Sequence, residues 1–286
     1  MRVTAVGPCF HEIDYETVDG AHRVIATRLP FTSFVVDRLP EELDGALLMA
    51  DLQGREPRWS AAERPRLLGD LVAEDVPYLS VEGRIPPPSR IGIILAGDMF
   101  ARPELDRRGG KGDVRDTWRA FAARCRWVVG VAGNHDVFGE MPPGTRSNPF
   151  GGEDGIHFLD GSYVELDGLR LAGVSGIIGN PSKPFRRDEK DFAWAVREAL
   201  EQRPDILVLH EGPDVPKEGL RGSETVRKAL EEAEHHALVV AGHTHWDVPL
   251  AKVAGNVQVL NVHERCVLLT RSERGGGSDA ASRVGD

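Results

Sequence analysis

Short apolar runs recur along this chain, and they constrain its fold more than any other feature of the sequence. The runs at 91–96, 127–131 and 206–209 are apolar at nearly every position and do not alternate with polar residues. Such continuous runs are typical of strands buried on both faces. Helical patterns with one apolar face separate some of the runs, so that strand and helix alternate over 46–132 and again over 188–241. The pattern predicts an α/β fold in which helices cover the sheets.

Four helices are predicted, each from a polar residue at its start and an apolar stripe that follows. They span 60–74, 113–124, 188–201 and 223–235.

The middle and the end of the chain are more strand-like. Residues 163–172 alternate in polarity on both sides of Asp167 and Gly168, and a two-residue Asp-Gly turn is a strong hairpin signal. Residues 248–270 also have a strand-like pattern. Together with the alternating segments, these features predict two facing sheets flanked by helices.

One domain is predicted over residues 1–270. Within it, residues 1–45 would add extra strands or an edge layer. The Gly-rich tail at 271–286 is predicted to be disordered.

Composition and charge narrow the possible functions. The chain has 286 residues, of which 41% are hydrophobic, and this is enough for a full core. Its net charge is −10. An acidic balance argues against long nucleic acid as a partner, because that binding depends on clustered Lys and Arg.

Cysteine content and hydropathy predict a soluble, cytoplasmic protein without a membrane partner. Cys9, Cys125 and Cys266 lie far apart, as expected of free thiols in a reducing compartment. No apolar run approaches the roughly 18 residues that span a membrane, and residues 1–8 carry no signal-peptide segment. The sequence carries no indication of an oligomeric state.

The chain contains five short polar clusters, and nearly all of them directly follow an apolar run. They are Asp51-Leu52-Gln53, Gly97-Asp98, Gly133-Asn134-His135-Asp136, His210 and Gly242-His243-Thr244-His245. Polar side chains placed just past strand ends can converge on one point. Carboxylates, amides and imidazoles are ligands of divalent ions, so the clusters predict a site for two metal ions.

Phosphoester hydrolysis is a reaction that such a site can serve. Water is a poor nucleophile, whereas two cations roughly 3.5–4 Å apart neutralise the phosphate oxygens and lower the pKa of a water between them. One carboxylate has to lie between the ions. Asp98 suits this position, because Gly97 lets the backbone turn tightly where the strand ends.

In the order and identity of these clusters, the chain resembles the calcineurin-like metallophosphoesterase superfamily. The pattern of that superfamily is Asp-x-His, Gly-Asp, Gly-Asn-His-Asp/Glu, His and Gly-His-x-His, and the resemblance covers about residues 46–265. It implies a four-layer α/β/β/α sandwich with two mixed sheets flanked by helices. It also implies a metal-dependent phosphoesterase with two divalent ions.

The resemblance implies a ligand set for each ion. The first ion would be bound by Asp51, Asp98 and His245, and the second by Asp98, Asn134, His210 and His243.

Catalytic and substrate contacts are implied in the same way. His135 would face the phosphate as a hydrogen-bond donor or as the acid for the leaving oxygen, and Asn134 would share the substrate contact. Asp136 would orient His135 or its loop. Arg55 follows the first cluster, where its fork of donors could hold a substrate phosphate. His263 also could approach the site, although it fits an ordinary strand position.

The first cluster departs from the family pattern, because Gln53 stands where the commoner pattern has His. A neutral amide oxygen is a plausible ligand for a hard ion such as Mn²⁺ or Mg²⁺. Some branches of the superfamily, including manganese-dependent ADP-ribose/CDP-alcohol diphosphatase-like enzymes, carry Gln here. Mn²⁺ is therefore favoured, with Fe, Zn or Mg²⁺ as the other candidates.

The chain is accordingly predicted to hydrolyse phosphoester bonds by in-line attack of a metal-bridging hydroxide. The expected substrate is a small, nucleotide-like phosphodiester or pyrophosphate. Three alternatives stay open: a phosphomonoesterase or phosphoprotein phosphatase, a nuclease for short oligonucleotides, and a non-catalytic metal-bound scaffold.

Overall fold

The computed structural model describes residues 1–57, 65–139, 148–253 and 257–272. The strands in these ranges are β1 (Val3–Val18), β2 (Val24–Val36), β3 (Gly45–Ala50), β4 (Ile91–Leu95), β5 (Gly112–Asp113), β6 (Trp127–Gly130), β7 (Asp136–Val137), β8 (Ile156–Phe158), β9 (Ser162–Leu166), β10 (Leu169–Val174), β11 (Ile177–Ile178), β12 (Arg186–Arg187), β13 (Ile206–Glu211), β14 (Leu238–Gly242), β15 (Leu250–Val253), β16 (Val257–Asn261) and β17 (Arg265–Arg271). The α-helices are α1 (Leu68–Val81), α2 (Arg115–Ala122), α3 (Glu189–Glu201) and α4 (Glu224–Glu232).

Two large sheets are mixed in strand direction. The seven-stranded sheet has the order β1-β2-β17-β3-β4-β6-β8, and its strands β3, β4, β6 and β8 run parallel. The six-stranded sheet has the order β15-β16-β14-β13-β10-β9, and its strands β10, β13, β14 and β16 run parallel. In each sheet the parallel strands therefore end at the same edge.

Alternate side chains of the central strands pack into different apolar layers. In β3, Leu47 packs in the layer of α1 and α2, whereas Leu48 packs in the layer between the sheets. In β13, Val208 packs in that same inter-sheet layer, and Leu207 packs with α3 and α4. Because both faces of these strands are buried, their sequences are continuously apolar. The predicted four-layer α/β/β/α sandwich is confirmed.

The predicted hairpin at 163–172 is formed by β9 and β10. Leu166 pairs with Leu169, and the two residues between them, Asp167 and Gly168, have φ values of 53° and 78°. Two consecutive positive φ angles match the turn that the twist of a two-residue hairpin requires.

The β1–β2 hairpin lies at one edge of the seven-stranded sheet, where β2 pairs with β17. Its strands, of 16 and 13 residues, are much longer than the apolar runs of the sequence at 3–6, 24–27 and 34–36. The additional pairs have polar exposed side chains, as where Arg28 forms ion pairs with Glu12 at 3.0 Å and Asp14 at 3.3 Å. An apolar-run criterion misses such pairs.

The helix predictions were more accurate at the starts of α3 and α4 than elsewhere. Asp188 and Ser223 cap these helices by accepting the amides of Asp191 and Val226.

The predicted start of the first helix, Ser60, lies outside the described residues, and α1 begins at Leu68. Its predicted end was wrong, because α1 continues through Pro77 to Val81. Val76 and Leu79, on either side of Pro77, are buried, and their burial offsets the hydrogen bond that proline removes. Asp113, the predicted start of the second helix, belongs to β5, and α2 begins at Arg115.

Two further predictions concern membranes and the C-terminal tail. Within the described ranges, no helix is long and apolar enough to cross a membrane. Residues 273–286 of the predicted tail lie outside the described residues, while Arg271 still belongs to β17.

Substitution of Val208 by Ala tests the inter-sheet layer. Val208 is fully buried between the sheets, so we expect a loss of about 1.5–3 kcal/mol in the free energy of unfolding, measured by urea denaturation. The control is Val81→Ala, because this side chain is 89% exposed and its loss should change stability by less than about 0.5 kcal/mol. Equal effects of the two changes would contradict the layer assignment.

Candidate metal centre

The polar clusters meet where strands of both sheets end. Most of the cluster residues lie just past a strand: Asp51 after β3, Asp98 after β4, Gly133 to Asp136 after β6 and His243 after β14. His210 lies within the last two residues of β13. Hydrogen bonds connect the two sheets at this point: the amide of His243 donates to Asp51 Oδ2 at 2.8 Å, and His210 Nδ1 donates to the carbonyl of Ala96 at 2.7 Å. The clusters therefore form one site.

Three of these residues have a backbone conformation that non-glycine residues rarely adopt. The φ angles are 56° at Asp51, 58° at Asp98 and 61° at His243. Each such residue costs on the order of 1–3 kcal/mol and persists only where the surrounding structure enforces it. Gly133 enables the close approach, because a Cβ atom there would lie 1.9 Å from Asp98 Oδ1. Three of the candidate ligands are therefore held in a strained backbone conformation.

Asp98, His210 and His243 form a compact group in which one ligand atom from each lies within 4.8 Å of the others. His210 is fully buried, and its Nδ1 is occupied by the carbonyl of Ala96. Its Nε2 faces Asp98 Oδ2 at 3.3 Å. A backbone carbonyl that holds one ring nitrogen in this way fixes the other nitrogen for a metal ion.

Three buried atoms around this group have no hydrogen-bond partner among the described residues. They are Asn134 Oδ1, His210 Nε2 and His263 Nδ1. Buried polar atoms are nearly always hydrogen-bonded, so three exceptions in one place require an explanation. Amide oxygen and imidazole nitrogen are metal-binding atoms, and two buried carboxylates lie beside them. The donor set therefore fits divalent metal ions.

The charged groups of the site shift one another's pKa values. Burial opposes the ionised form of Asp51, yet the neighbouring His263 holds the pKa of this carboxyl at about 2. Burial also opposes the charged form of His210, but Asp98 raises its pKa to about 10. For His243, burial and the neighbouring His210 lower the pKa to about 4. Cations bound here would replace protons, so metal affinity should increase with pH.

Gln53 lies inside the site, next to the central carboxylate. It is 8% exposed, and its Nε2 donates to Asp98 Oδ2 at 3.0 Å. In this orientation the amide holds Asp98 in position, while its own oxygen is the only atom of the side chain that could bind an ion.

His245 lies at the rim of the site. It is exposed, and its Nε2 is 3.3 Å from Asp247 Oδ1. With His263 and Glu264 it forms a second group whose ligand atoms lie within 4.8 Å of one another. The rings of His245 and His263 are 5.5 Å apart.

His135 is anchored by the loop before β5. Its Nδ1 donates to the carbonyl of Gly110 at 2.9 Å, and its backbone amide donates to Asp98 Oδ1 at 2.8 Å. The ring lines the cavity over the site, and Nε2 is left for a substrate.

Asp136 is 2% exposed and does not line this cavity. Its carboxylate accepts the amides of Asp98, Met99 and Gly133, all at 2.8 Å. Burial, together with the negative Asp98, raises its pKa to about 6. Asp136 therefore ties the loop after β4 to the loop after β6 and holds Asp98 and His135 in register.

The structure does not bring Arg55 to the cavity. Its guanidinium donates to the carbonyls of Ala101 and Pro65, and the residue is 7% exposed. These contacts tie the segment after β3 to the loop after β4 and leave Arg55 with a structural role.

A cavity of about 590 Å³ opens above the candidate ligands. Several residues that line it were not singled out by the sequence patterns: Arg108, Glu211, Arg221 and Gly222. His263 also lines it, although the sequence favoured an ordinary strand position. These residues lie in loops, at the last position of β13 or just past a strand, without a glycine-marked motif, so the sequence offers no signal beyond their proximity to the clusters.

Comparison with known proteins agrees with this geometry. Residues 47–247 match the sequence model of the calcineurin-like phosphoesterase family. No curated protein matches the chain.

Two solved structures are similar in fold. One is TT1561 of Thermus thermophilus, with 16% sequence identity, a TM-score of 0.52, and coverage of 77% of this chain and 88% of that chain. A second crystal structure has 14% identity, a TM-score of 0.54, and coverage of 81% of this chain and 95% of that chain. At these identities the likeness concerns the fold alone.

Substitution of Asp98 by Asn tests the centre. Loss of the carboxylate charge between the buried imidazoles should reduce bound metal from two ions per chain to fewer than one, as measured by elemental analysis after gel filtration. The matched control is Asp116→Asn, whose side chain is 97% exposed on α2 and which should bind metal as the unmodified chain does. Full metal content in the Asp98 variant would show that the ions lie elsewhere.

Proposed function

Since this chain belongs to the calcineurin-like phosphoesterase family and is therefore a metal-dependent phosphoester hydrolase, we propose that it cleaves a small, nucleotide-like phosphodiester or pyrophosphate. The observation that carries this proposal is a second, basic cavity that adjoins the metal centre. The two cavities share Arg108 and His135.

The second cavity has a volume of about 620 Å³ and the composition expected for a charged, partly planar group. Phe100, Arg102, Arg107 and Lys111 contribute to its wall. Arg102 forms ion pairs with Glu104 and Asp106, whereas Arg107 and Lys111 have no ion pair among the described residues. A substrate that extends from the phosphate at the metal centre would place its second charged group here. A compact monoester would leave this cavity empty.

The proposed centre holds two divalent ions, with Mn²⁺ favoured, because its carboxylate, amide and imidazole donors suit a hard to borderline ion. When bound, the ions would neutralise the phosphate oxygens and lower the pKa of a water molecule at the site. The residues that would hold them are Asp51, Asp98, Asn134, His210 and His243, with Gln53 and His245 at the first ion.

The chain's own groups would bind the phosphate and assist departure of the leaving group. Nδ1 of His135 donates to the Gly110 carbonyl, so a proton would pass from Nε2 to the leaving oxygen when both ring nitrogens are protonated, and the ring would then be left neutral. Asp136 contributes by positioning, since it aligns the two loops that carry Asp98 and His135. The side chains of Arg108 and Arg221 place positive charge at the mouth of the cavity.

A substrate panel tests this function. The Mn²⁺-loaded protein would be assayed with bis(p-nitrophenyl) phosphate, p-nitrophenyl phosphate, a nucleotide with a pyrophosphate link, a short oligonucleotide and a phosphopeptide. We expect the highest kcat/KM for the pyrophosphate-linked nucleotide or the diester. Preference for the phosphopeptide or the monoester would favour a phosphatase, and absence of turnover in metal-loaded protein would favour a scaffold.

Substitution of His135 by Ala should lower kcat by about 10²- to 10⁴-fold for an alkoxide leaving group, because general acid assistance is lost. The loss should be much smaller for p-nitrophenolate, which leaves without a proton. Bound metal should stay at the level of the unmodified chain. The control is His236→Ala, an exposed histidine beyond α4. An equal loss with both leaving groups would contradict the role of His135 as a proton donor.

Reversal of charge at Arg107 and Lys111 tests the second cavity. The Arg107→Glu, Lys111→Glu variant should raise KM for the pyrophosphate-linked nucleotide about tenfold with little change in kcat, since two exposed attractive charges become repulsive. The KM for p-nitrophenyl phosphate should stay the same. A matched control reverses Arg203 and Lys252, two exposed cations that line neither cavity. Similar KM values for all three proteins would refute this placement of the substrate.

A further inference from the structure

His263 is a buried histidine at the metal centre that the family pattern does not account for. It follows β16, is 5% exposed and lines the cavity above the candidate ligands. Its Nδ1 lies 3.1 Å from Asp51 Oδ2, yet this pair does not meet hydrogen-bond geometry, and Nδ1 has no other partner among the described residues. The atom is therefore buried, polar and directed into the site without a partner there.

The pair formed by His263 and Asp51 repeats the pair formed by His210 and Asp98. In both, an imidazole nitrogen without a hydrogen bond faces a buried carboxylate oxygen, at 3.1 Å and 3.3 Å respectively. Two ligands that are each about 2.0–2.2 Å from one ion are about 3–3.5 Å apart, so both distances suit two donors to a common ion.

The fold places His263 there for the same reason as the other ligands. Because β16 runs parallel to β14, its carboxyl end lies at the edge from which His243 projects. His263 is held in place by a bridge to Ala50 of β3 and by donation from its amide to Asn261 Oδ1 at 3.2 Å. The end of β16 is thus the sixth strand end that brings a residue to the centre.

We propose that His263 is a ligand of the ion on the Asp51 side of the centre, bound through Nδ1. This inference rests on the proposed two-ion function. It supplies a buried imidazole to an ion whose other donors would be Asp51, Asp98, the neutral amide of Gln53 and the exposed His245.

The opposite ring nitrogen of His263 lies near both a carboxylate and a guanidinium. His263 Nε2 lies 3.7 Å from Glu264 Oε2, and a carboxylate behind a metal-bound imidazole is a common arrangement. Arg108 lies 3.3 Å from the same nitrogen and also binds Glu264. In the alternative to metal binding, Arg108 donates a hydrogen bond to Nε2 of His263, so that the ring proton is on Nδ1 and faces Asp51. In that case His263 would only position Asp51.

The decisive measurement is a crystal structure of the unmodified chain with Mn²⁺, in which anomalous scattering locates the ions. We expect one ion within about 2.4 Å of both His263 Nδ1 and an Asp51 oxygen. Two ions at the centre with Nδ1 farther than that from either would overturn this inference and leave the proposed function intact. Absence of ions from the centre would overturn both.

Metal titration of variants gives a second, independent readout. His263→Ala should bind one Mn²⁺ with unchanged affinity and the other at least tenfold more weakly, and the EPR signal of the coupled pair should give way to that of a single ion. Gln53→His combined with His263→Ala should restore the coupled signal, because it returns an imidazole to the same ion. His236→Ala is the control. A coupled signal in His263→Ala that equals the control would overturn the proposal.

Discussion

Two buried carboxylates, Asp51 and Asp98, lie where the two sheets meet, and their charge is the constraint that shapes the surrounding site. They are 4% and 2% exposed. Buried carboxylates are costly unless they are hydrogen-bonded and paired with positive charge. The backbone amide of His243 donates to one oxygen of Asp51, and the backbone amide of His135 donates to one oxygen of Asp98. Imidazole nitrogens without hydrogen bonds also face the two carboxylates, which is the arrangement that metal ions complete.

The sandwich provides this arrangement by bringing parallel strand ends from both sheets to one edge. The apolar layer between the sheets holds β3 and β4 against β13 and β14, so candidate ligands that are far apart in sequence come within a few ångströms of one another. Backbone strain at three of the candidate ligands is maintained by this frame and by Asp136, whose carboxylate accepts hydrogen bonds from three amides of two loops. Stability of the core and geometry of the site are therefore linked.

Much of the centre could be predicted because the relevant information is local. Asp98 and His210 each come at the end of a continuously apolar run, and Gly133 marks the close approach beside Asn134. His263 carried no such mark, since only the parallel alignment of β16 with β14 brings it to Asp51. Arg55 shows the reverse error, because closeness in sequence does not determine that its side chain binds backbone carbonyls behind the site.

Hydrophobic periodicity and short motifs depend on neighbouring residues, so the chain's own order of amino acids specifies the fold class, the succession of strands and helices, and the residue types of a metal-dependent phosphoesterase. Packing in three dimensions establishes which candidate ligands lie together, which nitrogens of His210 and His263 have no hydrogen bond, and that a basic cavity adjoins His135. These features depend on the register of strands up to about two hundred residues apart, as in the hydrogen bond between Asp51 and His243 across 192 positions. Local sequence patterns do not record such distances.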